Sequence, residues 1–65
     1  MQASRFVGEI YESVARLERF PRLGRAGRID GTREFLVAPY AVVYRDEDAA
    51  VVILAVVHSG QEYPR

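Results

Sequence analysis

Ala50 to Val57 is an unbroken apolar run, Ala-Val-Val-Ile-Leu-Ala-Val-Val, dominated by β-branched residues. It is far short of the roughly 18 residues needed to cross a bilayer as a helix, and its composition fits a buried strand. In a strand, Val51, Ile53, Ala55 and Val57 oppose Val52, Leu54 and Val56. Both faces are then apolar, a pattern that predicts an inner strand covered on two sides. A chain of 65 residues forms one domain at most and only just offsets its own entropy. It has little material with which to cover both faces.

One covering element is plain. Phe6, Ile10, Val14 and Leu17 recur at four- and three-residue spacing, while Arg5, Glu9, Glu12, Arg16 and Arg19 take other positions. This predicts an amphipathic helix over 3–20, with Ser4 able to cap its start and Pro21 ending it. Residues 21–31 hold three of the five glycines and no apolar periodicity, and so read as a connecting loop. Residues 32–37, 40–45 and 50–57 read as strands with short connections, followed by a tail over 58–65. The expected fold is α+β, one amphipathic helix packed on a three-stranded antiparallel sheet, the whole of 1–65 being one domain. The sheet face opposite the helix and an unpaired edge predict self-association or a complex.

The charges balance, nine Arg against nine acidic residues with no Lys, so net charge alone selects no partner. Four arginines nevertheless gather within twelve residues: Arg22, Arg25, Arg28 and Arg33. The chain has no Cys, which removes a disulfide framework, a thiolate nucleophile and a Cys-ligated zinc site. With one His, a metal centre is not expected, nor is any other cofactor. Nothing suggests membrane insertion, and the cytoplasm is the expected compartment.

Four segments in order, Gly24-Arg-Ala-Gly-Arg28, Gly31-Thr-Arg-Glu34, Tyr40-Ala-Val-Val-Tyr-Arg45 and Val56-Val-His-Ser-Gly-Gln-Glu-Tyr-Pro64, resemble the RelE/ParE superfamily of bacterial type II toxins. The resemblance covers the chain from about Ser4 onward and lacks the amino-terminal strand and first helix typical of members. It implies a toxin with a cognate antitoxin. ParE-like members poison DNA gyrase, whereas RelE-like members cut mRNA in the ribosome.

Under the interferase alternative, Arg33 and Arg45 would stabilise charge at phosphorus, His58 would act as acid or base, and Tyr63 would stack on a base. The ribonuclease toxins resembled here place basic residues where this chain has Ala41, Ser59, Gly60 and Gln61. That departure favours the ParE-like reading, in which Arg25, Arg28 and Arg33 are the candidate target-binding residues and no catalytic residue is required. Arg33 and Glu34 face opposite ways if the strand is regular. A third reading is a shortened, non-toxic module that binds the antitoxin, and a homo-oligomer is compatible with all three.

Overall fold

The structure is a computed structural model that describes residues 2–48 and 50–60. Helix α1 spans Gln2–Arg19, followed by strands β1 (Arg25–Ala26), β2 (Arg33–Val37), β3 (Tyr40–Glu47) and β4 (Ala50–His58). The strands form one antiparallel sheet in the order β1-β2-β3-β4. Ser4 lies inside the helix, not ahead of it, so it is not the cap that its sequence position suggested. Phe20 N–H still donates to the Arg16 carbonyl at 2.9 Å, and Pro21 then blocks further turns.

The sheet has four strands rather than three. The additional strand lies in the stretch expected to be a loop, where Arg25 pairs with Glu34 and Ala26 with Arg33. The Gly27 N–H donates to the Thr32 carbonyl at 2.8 Å, and the Thr32 hydroxyl donates to the Ile29 carbonyl at 2.6 Å, closing the connection between β1 and β2. Two residues are too few to show alternation, which is why β1 leaves no periodic signal.

The register divides the side chains between two faces. Phe35 pairs with Val42, and Val37 with Tyr40, on the side facing α1; Glu34 pairs with Val43, and Leu36 with Ala41, on the other. The core between helix and sheet is Leu17, Val42 and Tyr44, all fully buried, with Ile10, Phe35, Val37 and Val51 packed around it. Phe6 lies against Tyr40 with ring centroids 4.5 Å apart, which seats the amino-terminal half of α1.

The inner strands are β2 and β3, and on β3 Ala41, Val42, Val43 and Tyr44 are buried on both faces. The apolar run expected to be an inner strand is instead the edge strand β4, and its Ile53, Leu54 and Val56 are exposed. Among the described residues β4 has one strand neighbour, and α1 covers it only in part, with Val51 reaching the core. Between the pairs Val43–Ala55 and Tyr44–Ile53, Leu54 is an extra residue, forming a bulge.

Tyr44 connects core to loop. Its hydroxyl donates to the Pro21 carbonyl at 2.6 Å and accepts the Gly24 N–H at 2.9 Å, across 23 and 20 positions of sequence. Replacing Tyr44 by Phe keeps the ring but strips a buried N–H of its acceptor, a loss of about 1–3 kcal/mol. The expected result in urea titration is a lower midpoint with an unchanged slope. A Tyr44→Phe midpoint equal to the parent's would mean that water replaces the hydroxyl at no cost.

Candidate functional site

Glu34 organises the arginine-rich segment. It lies on β2 facing away from the helix, and its side chain is only 2% exposed although it is a carboxylate. Burial of such a group requires compensating donors. Arg25, its register partner on β1, brings Nη2 to 3.3 Å from Oε1. The Arg28 backbone N–H donates to Oε2 at 3.0 Å, and the Arg28 Nε stands 3.7 Å from the same oxygen. From there Arg28 Nη2 donates to the Ser59 carbonyl at 3.3 Å, so this side chain ties the β1–β2 connection to the end of β4.

Two guanidinium groups thus share one carboxylate and leave a local excess of positive charge. The Arg25 side chain remains 68% exposed and that of Arg28 36% exposed, while the carboxylate is hidden. Such an arrangement suits an anionic or carbonyl-rich partner, because a guanidinium held by one edge keeps its remaining donors in a fixed fork.

Arg33 is separate from this pair. It occupies the helix-facing side of β2, where Nη1 donates to the Gly24 carbonyl at 2.7 Å and more weakly to that of Arg22 at 3.4 Å. With Arg22, Thr32 and Asp46 it lines a depression of about 270 Å³ at that end of the sheet. Of the three candidate target-binding arginines, the fold brings Arg25 and Arg28 together and turns Arg33 to the opposite face.

The residues proposed for RNA cleavage are not assembled into one cluster. His58 pairs with Tyr40, the two rings meeting edge to face at 5.6 Å, and its Nδ1 accepts the Gly60 N–H at 3.2 Å. Arg33 pairs with Tyr44, four residues further along β3 and two strands away from β4. Strand dimensions place Arg33 and His58 about 16 Å apart along the sheet. Arg45 lies on the other face, its Nε 2.9 Å from Glu47 Oε2. Tyr63 lies outside the described residues. Among the described residues no three His, Asp or Glu side chains come together to hold a metal ion.

Residues 2–63, containing the helix and every strand, match the family described as the ParE toxin of type II toxin–antitoxin systems, parDE. This chain belongs to the ParE toxin family. It is also 42% identical over 65 residues to "Putative toxin Y4kP" of Sinorhizobium fredii, a match that covers 97% of this chain and 67% of that relative. No solved structure matches it. Family membership makes the chain a type II toxin and implies a cognate antitoxin. No helix among its described residues is long and apolar enough to cross a membrane.

In this ParE-family toxin, two residues central to the site escape a reading of the sequence. Glu34 was visible only as the neighbour of Arg33, yet it holds both Arg25 and Arg28. The available signal was its phase: on β2 it alternates with Phe35 and Val37 and therefore shares the face of Leu36. Gly24 is buried, and a Cβ there would lie 2.6 Å from the Tyr44 hydroxyl and 2.8 Å from the Glu34 carbonyl oxygen. Its role is close backbone approach rather than flexibility.

Proposed function

We propose that this toxin arrests growth in the cytoplasm by binding DNA gyrase and trapping cleaved DNA, with Arg25 and Arg28 as the principal contact charges. The observation that carries this reading is the Glu34-held arginine pair, a recognition surface whose charges are fixed in place before the target arrives. A trap of this kind needs binding alone. Acid–base cleavage of RNA, by contrast, requires its groups within hydrogen-bond reach of one scissile bond, and about 16 Å between Arg33 and His58 does not satisfy that requirement.

Plasmid supercoiling and cleavage by gyrase, with an in vitro translation reaction alongside, test the proposal directly. Linear plasmid with intact mRNA is expected. Cut mRNA with unaffected supercoiling would establish the interferase instead, and inactivity in both assays would favour a non-toxic antitoxin-binding module.

Single substitutions distinguish contact from scaffold. Arg25→Ala removes an exposed charge and is expected to change stability by less than about 1 kcal/mol. It should nevertheless reduce linear plasmid at least about tenfold, since loss of a charged hydrogen bond to a partner costs about 1.5–3 kcal/mol. Arg33→Ala should do the reverse, lowering the urea midpoint because two loop carbonyls lose their donor, with a smaller effect on cleavage at matched folded concentration. Equal effects of both substitutions on cleavage would overturn the assignment of Arg25 as the contact.

A further inference from the structure

The arginine pair has apolar neighbours on its own face of the sheet. Leu36 follows Glu34 by two residues on β2 and shares its side, roughly 7 Å along the strand. It is 56% exposed, although the other residues of β2 are buried or half-buried. Ile29, next to Arg28 in the connection from β1 to β2, is 40% exposed. Two large apolar side chains therefore stand exposed beside two guanidinium groups whose positions Glu34 fixes.

The rest of this face is closed by the chain itself. The Arg28 guanidinium bridges the Glu34 carboxylate on β2 and the Ser59 carbonyl just beyond β4. The register sets Leu36, Ala41 and Val57 in one row between those two points, so Arg28 lies over that row. Ala41 and Val43, which face away from α1, are buried, and Leu36 at the end of the row is not. Every residue of this surface lies between 25 and 59, on the side of the sheet opposite α1.

Charge discriminates between the two macromolecules that a gyrase complex presents, protein and DNA. Around Glu34, two cations against one carboxylate leave one net positive charge, and Asp30 stands in the same connection. Arg45, on this face too, is paired with Glu47 at 2.9 Å. Arg22 and Arg33 line the depression on the helix side and add nothing here. Duplex DNA carries one charge per about 1.7 Å of axis, so a four-stranded face about 14 Å across would meet on the order of eight phosphates. A net charge of one does not hold such a surface, and Leu36 and Ile29 would be set against the phosphates. A protein surface fits better. The cores of protein interfaces are apolar and enriched in Arg, and a charged contact strengthens when apolar neighbours exclude water from it.

We propose that Leu36 and Ile29 complete the arginine site as a protein-docking patch, occupied by a segment of the gyrase protein that sets a carboxylate beside a large apolar side chain. Arg25 and Arg28 meet the carboxylate, and Leu36 and Ile29 cover the apolar group and keep water from the ion pairs. This rests on the gyrase reading and sharpens it: the chain holds the enzyme, not the DNA, through this face.

Binding without chemistry tests the proposal. The chain has no Lys, so an amine-reactive dye labels its amino terminus alone, and anisotropy then reports binding of the full chain to gyrase without DNA and to a short duplex without gyrase. At physiological salt the parent should bind gyrase and not the duplex. Leu36→Ala should raise the dissociation constant for gyrase at least about tenfold, the loss expected when a buried leucine side chain is truncated at an interface. Ile29→Ala should raise it about threefold, since less of Ile29 remains to be covered. Phe20→Ala is the matched control, because Phe20 is also 56% exposed but directly follows α1; it should change binding less than about twofold. Leu36→Thr, β-branched and suited to a strand, is the second variant if Leu36→Ala is destabilised.

A parent that does not bind gyrase would remove the gyrase reading and this inference together. A parent that binds gyrase while folded Leu36 and Ile29 variants bind equally well would overturn the inference alone. So would an equal loss in Phe20→Ala, or binding of the parent to the duplex that disappears in Arg25→Ala. If affinity for the purified antitoxin falls in Leu36→Ala while affinity for gyrase does not, the patch is the antitoxin's and the proposal is wrong.

Discussion

Gly24→Ala is expected to leave the chain largely unfolded. An alanine Cβ at this position would stand 2.6 Å from the Tyr44 hydroxyl, 2.8 Å from its Cε1 and 2.8 Å from the Glu34 carbonyl oxygen. None of these can retreat cheaply. Glu34 is paired on both sides, with Arg25 on β1 and Val43 on β3, and Tyr44 is fully buried in the core. Moving Tyr44 would also break its bonds to Pro21 and Gly24. Overpacking of this kind costs about 1–3 kcal/mol, and the two hydrogen bonds add about 1 kcal/mol each. A domain this small has only about 3–5 kcal/mol in total. Far-UV circular dichroism against urea reads the result, and a folded baseline in water for Gly24→Ala would show that the strands can part to admit the methyl group.

Gly8 provides the opposite sign. It is an exposed glycine in the interior of α1, and a Cβ there would meet nothing within 4 Å. Gly8→Ala is therefore expected to stabilise the chain by about 0.5–1 kcal/mol, through the helix propensity alone. The same substitution at two glycines, measured in one titration, separates close approach from conformational freedom.

Both the helix and the two central strands were legible because their patterns are long. Phe6, Ile10, Val14 and Leu17 define a stripe over three turns, and Tyr40, Val42 and Tyr44 alternate over five residues to form the face that covers Leu17. The strand β1 was not legible, since Arg25 and Ala26 have no apolar phase and are held by what lies beside them: the Tyr44 hydroxyl at Gly24 and the carboxylate of Glu34. The apolar run of β4 was misleading for a different reason. Its pattern records that both faces are suited to burial, and it does not say whether the covering surface belongs to the same molecule. At the site, the clustering of arginines was visible as composition, but their division between faces was not. Arg33 separates from Arg25 and Arg28 only because the β1–β2 pairing folds Arg25 opposite Glu34.

Glu34→Ala is expected to abolish target action while the arginines themselves remain. The carboxylate accepts the Arg28 backbone N–H at 3.0 Å and anchors the Arg25 and Arg28 guanidinium groups, at 3.3 and 3.7 Å. Its ion pairs reach partly exposed side chains, so their contribution is small after solvent screening. The larger cost is a backbone donor left without its acceptor and a hole on the buried face beside Val43, together about 2–3 kcal/mol. Glu34→Gln separates the two effects: a glutamine oxygen can still accept the Arg28 N–H, while the attraction that gathers the guanidinium groups is gone. The expected order in gyrase-dependent cleavage is parent, then Glu34→Gln, then Glu34→Ala with activity at background, each compared at equal folded fraction. Amide exchange at Arg28 should accelerate strongly in Glu34→Ala and little in Glu34→Gln, because exchange follows the loss of that single hydrogen bond. If Glu34→Ala were folded and fully active, the arginines would act from a mobile loop, and the fixed pair would not be the recognition element.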